Sequence, residues 1–272
     1  LLLAPGLLWL LIFFVIPSLN QFYVSLEEGT LETGYTFAWN WDTYTTAFED
    51  YSEQFFRSIF YAGVATVLAL VISFPLAYFI AFKAGRWKNL LLVLIILPFF
   101  TSYLVRTIAW QTILSDDGPV VDVMQTVGLL SEDGRLLATR TAVIAGITYN
   151  FLPFMALPLY VALEAIDPRL IEAAEDLYAS RAKAFLRVTL PLSLPGVFAG
   201  TLLTFIPAAG DFINAQLLGT PKQHMIGNVI QSKFLELIDY PAAAALSFVL
   251  MGIILVGVAV YSRALGSERL TG

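Results

Sequence analysis

Residues 163–196 read LEAIDPRLIEAAEDLYASRAKAFLRVTLPLSLPG. The stretch carries too many charges to cross a bilayer, where each centred Asp, Lys or Arg is costly. Asp167-Pro168 predicts a helix start, because an Asp side chain caps free amide groups and Pro fits the first turn. Ile171, Ala174 and Leu177 then recur at i, i+3 and i+6, a narrow small and apolar stripe on a charged helix. Ser180 caps a second short helix that bears Phe185 and Val188. Pro191 and Pro195 are expected to end it and turn the chain back into the membrane. The result is a pair of short helices on a membrane surface. Such a pair suits docking into a groove on a soluble partner, or serves only as a hairpin that links two spans.

Working outward, six segments approach the roughly 20 apolar residues that a bilayer crossing needs. They cover 1–26, 56–82, 90–114, 141–163, 192–218 and 242–265. Pro5 and Pro17 interrupt the first, and the chain opens on Leu1 with no small-residue cleavage site following. It reads as a retained span with its cytoplasmic lead missing, not as a signal peptide. Between spans lie external loops 27–55, 115–140 and 219–241 and the cytoplasmic segment 164–191. Lys83, Arg86 and Lys88, then Arg169, Arg181, Lys183 and Arg187, then Arg263 and Arg269 fall on one side. Lys and Arg mark the cytoplasmic side, so both termini are expected inside. The opposite side holds Glu27, Glu28, Glu32, Asp42, Glu49, Asp50 and Glu53, then Asp116, Asp117, Asp122, Glu132 and Asp133. Trp39, Trp41, Tyr44 and Phe48 suggest a short amphipathic helix at the outer interface.

Composition narrows the function classes. Of 272 residues, 58% are hydrophobic and 13% charged, with mean hydropathy +0.76, so the solvent is lipid. With no Cys, the chain has no disulfide framework and no thiolate chemistry. One histidine, His224, cannot build a multi-His zinc site. A net charge of −6 gives no footprint for nucleic acid. The phosphate-cradling G-x-x-x-x-G-K-[ST] pattern is absent, so any ATP that drives this chain binds elsewhere.

Glu172-Ala173-Ala174, three residues, Tyr178, nine residues, Val188, one residue and Leu190-Pro191 strongly resembles the EAA loop of ABC importer permeases. In that pattern a Gly stands where this chain has Tyr178, and Gly takes backbone angles that Tyr adopts only at a cost. Leu97 to Thr107 (LPFFTSYLVRT) looks like the spermidine/putrescine branch. So do Gly210-Asp211-Phe212, Leu217-Leu218-Gly219 and Ile226-Gly227-Asn228-Val229-Ile230. Relatives that import ferric iron, thiamine, phosphonates or opines share parts of these. The resemblance implies an all-α, polytopic membrane protein with six transmembrane helices and a type I importer fold. It implies a cytoplasmic coupling loop, with Glu172, Ala173, Ala174, Leu177, Tyr178, Phe185, Leu190 and Pro191 as its contact residues. It further implies the first of two permease subunits in a bacterial inner membrane, partnered by a second permease, two ATP-binding subunits and an extracytoplasmic substrate-binding protein. ATP and Mg would then sit on the partners, with no cofactor and no catalytic or metal site on this chain.

Two charges lie at membrane depth. Counted along straight helices, Arg106 and Asp211 stand roughly 24–29 Å from the cytoplasmic ends of their spans, close enough in level to pair. Three readings stand: a structural ion pair, Asp211 facing the pathway to help an amine cross, and snorkelling to the outer interface. Pro207, Gly210 and Gly219 loosen the fifth span around Asp211, and Asn214 and Gln216 add polar lining. Asn150, before Pro153, marks a second weak point, and Tyr103 and Trp110 are aromatic wall candidates that can face an ammonium group. An ATP-independent transporter or channel would show repeat symmetry or an acid relay, and an intramembrane enzyme a nucleophile with its base. The sequence shows none of these.

Overall fold

The computed structural model describes residues 3–131 and 133–264. Leu1, Leu2, Glu132, Leu265 and Arg269, which entered the span and charge readings, lie outside the described residues. Among these, helix α1 spans Ala4–Ser25, and a hairpin of β1 (Glu27–Thr30) and β2 (Gly34–Phe37) follows. Helix α2 runs Asp42–Phe82, α3 Gly85–Phe100, α4 Tyr103–Ile113, α5 Pro119–Thr126 and α6 Arg140–Glu164. The remainder is α7 (Pro168–Asp176), α8 (Arg181–Ala209), α9 (Ile213–Leu218), α10 (Ile226–Leu235) and α11 (Tyr240–Ala264). Five of the described helices are long and apolar enough to cross a membrane, and α3 with α4 makes a sixth, bent span.

The core is the triple packing of α2, α6 and α8. Small side chains make it possible, since lipid gives no hydrophobic drive between helices and close backbone approach must supply the contact. Ala62, Ala65, Ala69 and Ala77 on α2, Ala142 and Ala156 on α6, and Ala208 and Ala209 on α8 are all buried. At Gly196 an added Cβ would stand 2.7 Å from the Pro158 carbonyl oxygen, so α6 and α8 touch there through backbone. By contrast α1 has no buried side chain over its apolar window, and its C-terminal end packs through Phe22 edge-on to Phe248 at 5.6 Å.

Five expectations are corrected. Pro191 and Pro195 do not end the second short helix, and α8 continues through both. A π-helical turn over Phe185–Thr189 precedes Pro191 and absorbs its missing amide and its ring. A similar turn at Leu11–Val15 lets α1 run through Pro17. The second span begins as helix at Asp42 rather than residue 56, with a kink at Tyr51. Tyr44 and Phe48 therefore ride on its first turns, while Trp39 and Trp41 precede it. The third span is broken: Thr101 takes extended angles (φ −101°, ψ 138°) and the two halves bend by 97°. Loop 27–55 also contains strands. Tyr35 and Phe37 alternate inward, and Phe37 stacks on Tyr23 at 4.6 Å, which fixes the hairpin to the end of α1.

Candidate functional site

The fifth span is interrupted between α8 and α9, at Gly210-Asp211-Phe212. Asp211 restarts the helix by its own chemistry. Its Oδ1 accepts the amides of Ile213 (3.0 Å) and Asn214 (3.4 Å), as a cap does. Its Oδ2 accepts the Tyr103 hydroxyl at 3.1 Å and also the Asn214 side-chain amide. The same Asn214 amide donates to the Tyr103 oxygen at 2.6 Å. Asn150 Nδ2 donates to Asn214 Oδ1 at 3.1 Å and to Thr107 Oγ1 at 3.2 Å. One buried network thus joins the fourth, bent third and broken fifth spans. It exists because Gly146 leaves room for it: a Cβ there would stand 2.6 Å from Asn214 Oδ1 and 2.4 Å from Leu218 Cδ1.

The first turn of α10 braces the break. Asn228 Nδ2 donates to the Phe212 carbonyl at 2.8 Å, and its Oδ1 accepts the Met225 amide at 2.9 Å. Ser58 on α2 accepts the Ile226 amide at 2.8 Å. Irregular backbone at membrane depth needs this kind of internal satisfaction.

The Arg106–Asp211 pair considered from sequence is not formed. No acid lies within ion-pair distance of Arg106 among the described residues. Arg106 is 8% exposed and lies over the Phe99 and Tyr103 rings, its guanidinium carbon 5.6 Å from each centre. Tyr103 and Asn150 join Asp211 and Asn214 in the network, whereas Trp110 packs on Tyr149 at 5.3 Å beside it. Gln216 faces outward. Sequence reasoning did not single out Thr107, Gly146, Ser58 or the role of Asn228. Thr107 was within reach, since it lies one helical turn from Tyr103 on the same face.

In the segment 164–191 both expected caps form: Asp167 accepts the Arg169 amide at 2.9 Å, and Ser180 the Lys183 amide at 3.4 Å. The apolar stripe divides. Ile171 and Ala174 are half-buried against their own chain, while Leu177 is 81% and Tyr178 98% exposed. Glu172, Ala173 and Pro191 are exposed and Leu190 half-buried. Phe185 packs edge-on to Phe74 (5.7 Å) and Tyr78 (5.9 Å), anchoring the segment to α2. Tyr178 has φ +59°, so it takes the left-handed turn that a Gly takes freely. Tyr178→Gly is therefore expected to raise the stability of the chain by about 1 kcal/mol, readable as a higher unfolding midpoint.

Comparison with known proteins places these features. Residues 73–263 match the family described as binding-protein-dependent transport system inner membrane component. The chain is 39% identical over 257 residues to the spermidine/putrescine transport system permease protein PotB of Haemophilus influenzae, covering 94% of this chain and 90% of that one. To PotB of Escherichia coli it is 37% identical over 260 residues, covering 94% of each. Among solved structures, a bacterial ABC transporter involved in import of the acidic polysaccharide alginate superposes with a TM-score of 0.73 at 24% identity, over 100% of this chain and 95% of that one. An alginate transporter in complex with an alginate-pentasaccharide-bound periplasmic protein gives a TM-score of 0.74 at 23% identity, over 100% and 94%. The fold is that of ABC importer permeases, and the chain crosses the membrane several times.

Proposed function

Because the chain belongs to the family of binding-protein-dependent transport system inner membrane components, we propose that it is the first of two permease subunits in an importer of polyamines. The similarity to spermidine/putrescine permeases along nearly the whole chain carries the choice of cargo. The partners are a second permease, two ATP-binding subunits that hold ATP and Mg, and an extracytoplasmic substrate-binding protein. Both termini lie in the cytoplasm, which the placement of Lys83, Arg86, Lys88, Arg181, Lys183 and Arg187 supports.

Closure of the ATPases moves the exposed Glu172–Pro191 segment. Phe185, wedged against α2, passes that movement to the core. The permease pair then rocks between inward-open and outward-open states, driven by contacts that differ between them. Asp211, Asn214, Tyr103 and Asn150 line the pathway at the break in the fifth span, with Trp110 and Arg106 beside them. A carboxylate next to aromatic faces suits an ammonium group.

Uptake into inside-out or right-side-out vesicles tests this reading. Labelled spermidine or putrescine should enter right-side-out vesicles only with ATP and binding protein present. Uptake of thiamine or ferric iron in its place would keep the importer and remove the polyamine.

A further inference from the structure

Arg106 is the buried charge that the pathway reading leaves without a task. Its Nε and Nη1 are enclosed and have no hydrogen-bond partner among the described residues. Two ring faces compensate it in part, and a desolvated cation held this way is costly. Asp211 touches the same Tyr103, whose hydroxyl donates to the carboxylate at 3.1 Å. Tyr103 therefore contacts both an incompletely satisfied cation and a buried intramembrane anion.

Both charges sit where backbone torsions can change. Tyr103 follows directly on the Thr101-Ser102 break, where the third span bends by 97°. Asp211 occupies the interruption between α8 and α9. Arg106 lies three residues beyond Tyr103, on the same helical face. A small rotation of α4 against α9 exchanges one neighbour for the other, as at hinge positions. The two arrangements each leave something unmet: the present one strands two guanidinium donors, the alternative one frees the Tyr103 hydroxyl. Such balance is what a two-state element requires.

We propose that Arg106 is the second partner of Asp211. In one state of the transport cycle Tyr103 and Asn214 hold the carboxylate, and in the other the Tyr103 ring swings aside and the guanidinium takes it. Arg106 is then an internal cation that occupies the carboxylate in place of substrate and resets the site. This rests on the permease reading, since it needs a protein that alternates between two states.

A double-mutant cycle tests it on the complex purified with its own partner subunits. Arg106→Met, Asp211→Asn and the double variant are compared by unfolding midpoint, nucleotide-free and vanadate-trapped. The midpoint shifts should add in one form and fail to add in the other, with Arg106→Lys close to wild type in both. Additive shifts in both forms overturn the exchange, because the two groups never meet. Equal non-additivity in both forms also overturns it, because the pair is permanent. Wild-type uptake in the same preparation reports separately on the permease reading. Robust uptake beside an additive cycle defeats the exchange alone.

Discussion

Glu172→Ala is expected to abolish the coupling of ATP hydrolysis to transport while leaving the fold intact. Glu172 is exposed and takes part in no hydrogen bond or ion pair among the described residues. Its loss should move the unfolding midpoint by no more than about 0.5 kcal/mol, as for surface positions in general. Transport is another matter. The carboxylate is exposed on α7, in the same segment as the 81% exposed Leu177, and under the proposed function it is available to a partner. Stimulated ATPase activity and uptake should fall roughly tenfold or more, about 1.4 kcal/mol of lost coupling. ATPase measurements on proteoliposomes, alongside thermal unfolding, check both halves. A stable variant with full stimulation would remove Glu172 from the interface. An unstable one would make its role structural.

Gly146→Ala is expected to have the largest effect on stability. The new Cβ would meet Asn214 Oδ1 at 2.6 Å and Leu218 Cδ1 at 2.4 Å. Neither can retreat easily: Asn214 is held by Tyr103, Asp211 and Asn150, and Leu218 is fully buried. Overpacking of this kind costs about 1–3 kcal/mol. Displacing Asn214 also leaves Asp211 and Asn150 short of partners, about 1–3 kcal/mol more for buried polar groups. Gly252→Ala is the control, because nothing lies within 4 Å of a Cβ there. It should gain about 0.5–1 kcal/mol from helix propensity. Opposite signs at the two glycines, measured by unfolding midpoint in one detergent, would support the network as the keystone of the site. A neutral Gly146→Ala would show that the fourth and fifth spans can part without cost.

Spans and caps were legible because they are local. Apolar length marks a bilayer crossing, and Asp167 and Ser180 declare helix starts within a few residues of themselves. The breaks were half legible. Pro207 and Gly210 pointed to the interruption before α9, but Pro98, Thr101 and Ser102 gave no comparable sign of a 97° bend. Pro191 misled, because a π-helical turn elsewhere in the helix accommodated it. The hairpin at residues 27–37 was missed because its pattern is short and Phe37 is held by aromatic contacts, with Tyr23 on α1 and with Trp39, that the pattern does not show. Pairing between Arg106 and Asp211 was argued from rise per residue, a rule that holds only for a straight helix. What decides that site is Tyr103, whose hydroxyl holds the Asp211 carboxylate, and a tertiary contact across 108 residues has no local signature.

In the proposed function this chain carries polyamine across the membrane at the expense of ATP hydrolysed by partner subunits. The most direct measurement is ATPase activity of the reconstituted complex with its binding protein, empty and loaded with spermidine or putrescine. Stimulation by the loaded protein alone is the result expected. Hydrolysis indifferent to either polyamine, or a chain that purifies with no ATPase subunit, would contradict the account.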